Sequence, residues 1–136
     1  MDRLGQDTKH CGSNAVNSRR RLAFDQEIQR GRERMAAGDL ARAFHHLERA
    51  HVIGQTFVGP HSKTHWLMLE LEIRRRDVAA VIGQVVRLVL GAIGSAVGVV
   101  PVGNTGGSNI SMFKRLPIAP DLQEIIDDSS SEPGRP

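Results

Sequence analysis

The stretch His45–Glu72, HHLERAHVIGQTFVGPHSKTHWLMLELE, holds five of the chain's six histidines. Imidazole is a ligand for zinc, copper, iron and nickel, and it exchanges protons near neutral pH. His61 and His65 stand at i, i+4, the spacing by which one helix offers two imidazoles to one ion. At about 100° per residue they lie about 40° apart, and Met68 (about −20°) and Glu72 (about +20°) share their stripe. On the preceding helix His51 falls about 20° from Phe44, inside an apolar face, and Glu48 sits on the shoulder of that face. His51, His61 and His65, with Glu48, Met68 or Glu72 as further ligands, are therefore the candidate metal site. The expected cofactor is a divalent transition metal, zinc or copper ahead of iron or nickel, and a methionine ligand would favour copper.

Other chemistries fit less well. A zinc protease carries glutamate directly after the first histidine of HExxH, whereas position 62 is Ser. Glu48-x-x-His51 matches the Glu-x-x-His unit of di-iron bundles, but those need the unit twice and this chain has it once. Cys11, the single cysteine, excludes an internal disulfide framework and any multi-cysteine metal site, and Lys9-His10-Cys11 reads as a plain tail. Gly103-Asn104-Thr105-Gly106-Gly107 could cradle an anion with backbone amides, yet no Lys-Ser/Thr follows as in a P-loop. It reads better as a tight turn that needs positive φ.

The positioning elements follow from hydrophobic period and punctuation. A first helix is expected from about Asn17 or Ser18 to Ala37, with Phe24, Ile28, Gly31 and Met35 on one side and Arg20, Glu27, Arg30, Arg32, Glu33 and Arg34 on a solvated side. Gly38 should end it and Asp39 cap the second helix, Leu40 to about Ile53. After a Gly54–Pro60 turn, Pro60 suits the first turn of a third helix from near His61 to Arg76. Trp66, Leu67, Leu69, Leu71 and Ile73 spread widely round that helix, which implies burial on more than one side. Asp77 caps a fourth helix, Val78 to about Ile93, with Ile82, Val86, Val89 and Ile93 inward and Gln84 and Arg87 outward. The openings Asp39-Leu40 and Asp77-Val78 stand 38 residues apart, giving two helical hairpins.

The fold class expected is all-α: two antiparallel hairpins in a four-helix array, then a Gly/Pro-rich non-helical extension packing Val99, Val100, Val102, Ile110, Met112, Phe113 and Ile118 on the helices. Residues 1–18 read as a disordered leader, 19–122 as one helical domain with its extension, and 123–136 as an acidic disordered tail. The net charge of +3 hides that split, since residues 1–120 hold 17 basic against 10 acidic groups. The basic residues fan out round their helices and stacking aromatics are scarce, which argues against nucleic acid. Leu88–Val102 is interrupted by glycines and proline and is too short to span a bilayer, and the polar N-terminus shows no secretory signal, so a cytoplasmic protein is expected.

The FDQEI opening, HLERAH, GPHSKTHWLM, the RRRD break and PVGNTGGSNIS together resemble a small bacterial family catalogued as a domain of unknown function, DUF3703. The resemblance covers roughly residues 22–122 and implies a small soluble protein without naming an activity. The first hairpin, with Gly38-Asp39-Leu40, Ala43, Leu47 and Ala50, also resembles a tetratricopeptide-type repeat. Three functions remain open: a transition-metal protein, a scaffold for a protein partner with structural histidines, and a small enzyme using the histidines as acid and base. Oligomeric state is not legible.

Overall fold

The computed structural model describes the backbone of residues 7–97, 104–107, 110 and 114–128, with side chains from residue 19 onward except 92 and 94–96. Among these residues there are five helices and no strand: α1 (Asp7–Ala36), α2 (Leu40–Gly54), α3 (Val58–Arg75), α4 (Val78–Ala96) and α5 (Pro120–Asp127). α1 packs on α2, α3 on α4, and α2 on α3, so the two expected hairpins stand side by side, while α5 closes against α1 and α2. No helix among the described residues is long and apolar enough to cross a membrane.

The breaks form where small and capping residues stand. α1 ends as Gly38 takes φ +77 and the Asp39 amide reaches back to the Arg34 carbonyl at 2.9 Å. The Asp39 carboxylate then accepts from the Arg42 amide and starts α2. The second hairpin repeats this geometry with Arg76 at φ 60 in the glycine's place and the Asp77 carboxylate accepting from the Ala80 amide at 2.9 Å. A left-handed conformation costs a residue with a Cβ about 1 kcal/mol or more. Arg76→Gly is thus expected to raise stability by roughly 0.5–1 kcal/mol in urea unfolding, and an unchanged or lowered midpoint would contradict that accounting.

The core is one cluster: Phe24, Ile28 and Met35 from α1, Ala43, Leu47, Ala50, Val52 and Ile53 from α2, Leu67, Met68 and Leu71 from α3, and Leu122 from α5. Gly31 lets α1 and α2 approach, since a Cβ there would stand 3.0 Å from Leu47 Cδ2. Two residues expected on α1's solvated side belong to its buried stripe. Arg20 donates to the Ile53 carbonyl at 2.9 Å through Nε, and Glu27 accepts from Arg49 Nε at 2.9 Å while meeting His46 Nδ1 at 2.7 Å. Both are buried and both are paired, so position on the helix decided their burial once partners existed.

α4 is the largest correction. Ile82, Val86, Val89 and Ile93 were expected inward, yet all four face out along with Val78, with Ile82 60% exposed. Gln84 at 0% and Arg87 at 8% are the buried ones, on one stripe with Ala80 and Gly91. The buried amide of Gln84 has partners waiting on α3 and in the 104–107 loop, which outweighs the side-chain hydropathy. Trp66 and Ile73 of α3, expected to help bury that helix on several sides, are also exposed.

Helix bounds differ from expectation at both ends. α1 reaches back to Asp7 through polar residues without periodicity, and α5 was not expected at all. Its signal was present: Pro120 in the first turn, then Leu122, Ile125 and Ile126 at helical spacing, packed on the core. Ile118 of the extension also packs there and Ile110 is half-buried. Val99, Val100, Val102, Gly103, Met112 and Phe113 of the extension, and residues 129–136 of the tail, lie outside the described residues.

Candidate metal centre

α2 ends at Gly54 and α3 starts at Val58, so the connection is only Gln55, Thr56 and Phe57. His51, just before this turn, therefore comes level with His61 and His65, just after it. The three rings are buried, 2–3% exposed, and each offers a nitrogen such that all lie within 4.8 Å of one another. Nε2 of His65 stands 3.0 Å from Nε2 of His61 and 3.2 Å from Nε2 of His51. The ring centroids are 4.6–4.8 Å apart, and His51 meets both α3 rings edge-on.

The far side of two rings is held. His51 Nδ1 lies 2.8 Å from the Asn104 carbonyl, which can only accept, so Nδ1 carries the proton. Gln84 Nε2 donates to the Gly106 carbonyl at 3.1 Å, which turns its Oε1 to His65 Nδ1 at 3.0 Å, so that nitrogen is protonated too. In both rings Nε2 is then a bare lone pair pointed inward. The loop that supplies these carbonyls is shaped for it: the Asn104 side chain accepts from the Gly106 amide at 2.9 Å and donates to the Lys114 carbonyl at 2.8 Å, and Gly106 takes φ +79. The positive-φ turn expected at Gly103–Gly107 is thus found at Gly106, and its carbonyls serve the histidines.

A neutral trio has three ring protons, and two of them face outward on Nδ1. At most one proton remains among three converging nitrogens. One of the two close N···N contacts, the 3.2 Å approach of His51 to His65, consequently has no hydrogen in it. Such a contact asks for a cation. Zinc with nitrogen bonds of 2.0–2.1 Å sets ligand nitrogens roughly 3.3–3.5 Å apart, a few tenths of an ångström beyond the two spacings from His65. The residues fit a bound metal ion, and each held ring also has the far-side partner that metal-bound histidines take.

A proton meets the same need poorly. Burial pushes His51 well below its ordinary range, with the His65, His61 and Arg87 charges acting the same way and the Asn104 carbonyl opposing them. His65 is pushed down to about 4, mainly by burial, and burial also lowers His61. The unfolded chain protonates these rings near 6.5, so between about pH 4 and 6.5 it binds more protons than the folded, metal-free protein. Stability is full above that window and is lost as the pH falls through it, at about 1.4 kcal/mol per pH unit for each such histidine. Urea unfolding of chelator-treated protein at pH 7 and pH 5 should show this loss, and equal midpoints would contradict the burial of neutral rings.

Neither candidate carboxylate, Glu48 nor Glu72, joins the cluster. Glu48 is buried enough that its carboxyl is pushed above its ordinary range, with the Thr105 hydroxyl, His45 and Arg75 opposing. Met68 is buried on the expected stripe, with its sulfur 3.7 Å from Gln84 Nε2. Glu72 pairs with Arg75 at 3.5 Å, and burial pushes its carboxyl up. The ring tautomers are fixed instead by Gln84 and by the Asn104 carbonyl. Gln84 was detectable as the one amide inside an apolar helix. Asn104, 53 residues from His51, had no local signal.

No curated protein and no solved structure matches the chain. The family model described as "Protein of unknown function (DUF3703)" matches residues 18–126, which takes in α1 from residue 18 onward, the whole of α2, α3 and α4, every histidine of the cluster and the loop that orients them, and the chain belongs to that family.

Proposed function

We propose that the protein binds one transition-metal ion through Nε2 of His51, His61 and His65. The observation that supports this is the proton shortage: three inward nitrogens all within 4.8 Å of one another, two of them bare because Asn104 and Gln84 hold the opposite protons. Imidazole-only ligation suits zinc and copper. With the Met68 sulfur beside the Gln84 amide, the thioether preference for copper does not enter.

Protein purified without a histidine tag should carry, or take up from zinc(II) or copper solutions, one equivalent of metal by elemental analysis. Metal-free protein that takes up no zinc, copper, nickel or cobalt at micromolar concentrations would overturn the reading. The scaffold reading draws its support from α4, whose outward stripe Val78, Ile82, Val86, Val89 and Ile93 carries no charge for a partner to complement. A second copy of the chain would match that stripe, and sedimentation analysis decides it.

A further inference from the structure

We propose that the metal keeps a fourth position open toward α4, and that this position takes a small anion beside Arg87 and under Gly91. The inference rests on metal binding by the three histidines. It starts from the face that α4 turns inward. Ala80, Gln84, Arg87 and Gly91 recur at i, i+4, i+7 and i+11, so they form one stripe along the helix. Gln84 on that stripe holds His65.

Gly91 passes over the converging nitrogens. A Cβ at this position would stand 3.2 Å from His61 Nε2, 3.1 Å from His61 Cε1 and 3.5 Å from His65 Nε2. These are the ligand atoms rather than the backs of the rings, so at Gly91 no side chain covers the metal's side, and even a methyl there would crowd the rings. A zinc ion with three protein ligands characteristically keeps one such place for water or substrate, whereas a purely structural zinc is closed by a fourth side chain.

Charge names the occupant. Three neutral imidazoles leave a divalent ion with its full charge in a buried site, and the described ligand cluster contains no carboxylate. Arg87 is itself buried, one turn before Gly91, and its charge opposes protonation of both His51 and His65. The Ile110 carbonyl accepts from its guanidinium and fixes the head group. Two like charges held together without a counter-charge are costly in a low-dielectric interior, and an anion bound to the metal and facing the guanidinium offsets both. With Gly91 this close to the ligand atoms, the anion must be small, such as hydroxide, azide or thiocyanate.

The test uses the full chain loaded with one equivalent of cobalt(II), whose visible ligand-field bands report the ligands. Titration with azide or thiocyanate should shift the bands with a saturable, single-site profile. Arg87→Met should weaken that binding about tenfold or more while cobalt stoichiometry stays at one, and Arg87→Lys should restore part of it. Bands that no small anion moves, or an Arg87→Met protein that binds the anion as tightly as the parent, overturn the proposal. Should Arg87→Met not fold by circular dichroism, Gly91→Ala decides: its bands should be insensitive to anions, and a parent-like response overturns the open position. A protein that takes no cobalt, zinc or copper overturns the metal reading itself, which is a different result.

Discussion

His65→Ala is expected to abolish stoichiometric zinc or copper binding while leaving the helix content intact. His65 is the middle member of the cluster, the only ring whose Nε2 lies within 3.2 Å of both others among the described contacts. Without it His51 on α2 and His61 on α3 are left as two ligands without the nitrogen between them. The loss should exceed the 10–100-fold that removing a ligand's far-side partner typically costs, and Gln84→Leu supplies that comparison because it keeps the His65 ring and removes the acceptor on Nδ1 together with the donor to the Gly106 carbonyl. Thermal unfolding gives the second readout. A ligand at about a thousand times its Kd adds roughly 4 kcal/mol of stability, a rise of about ten degrees or more for a domain of this length. The parent should show that rise with zinc, Gln84→Leu a smaller one, and His65→Ala none. A His65→Ala protein that binds one zinc as tightly as the parent would show that the ion sits elsewhere.

The features carrying this site were unequally legible in the sequence. His61 and His65 were paired by spacing, and His51 was placed by its angle to Phe44, because an α-helix converts separation into direction. The short connection at Gln55–Phe57 then made the meeting of the two helices a local matter. Gly38 and Asp39 marked the break between α1 and α2 for the same reason, since a positive φ and a capping carboxylate act within a few residues. What stayed hidden was long-range or against the hydropathy. Asn104 reaches His51 across 53 residues through its backbone carbonyl, which any residue type possesses. Arg20 and Glu27 looked solvated because a paired charge and an exposed one are spelled alike. In α4 the apolar period is real but faces outward, because the buried side of that helix is chosen by what Gln84, Arg87 and Gly91 do to the histidines. Periodicity finds a stripe; it does not say which stripe the neighbours require.

Gly106→Ala is expected to be the most destabilising single-methyl change in the described loop, with or without metal. Two separate costs fall on it. Gly106 adopts φ +79, where a residue with a Cβ is strained by about 1–2 kcal/mol. The added Cβ would also stand 2.7 Å from His51 Cδ2, 2.9 Å from Cγ and 3.0 Å from Nε2. The ring cannot swing away cheaply, because its Nδ1 is held by the Asn104 carbonyl and its Nε2 faces His65. Overpacking of this kind costs typically 1–3 kcal/mol more, so the sum is roughly 2–5 kcal/mol. Relief by moving the loop would break the bond from Gln84 Nε2 to the Gly106 carbonyl and release the acceptor that orients His65. The mutation should therefore lower the melting temperature of the chelator-treated protein by several degrees and weaken zinc binding as well. Gly59→Ala is the control: a Cβ there meets nothing within 4 Å inside the first turn of α3, so stability should hold or rise slightly. If Gly106→Ala melts with the parent and binds zinc as tightly, the loop yields without disturbing His51, and its carbonyls do not hold the cluster in place.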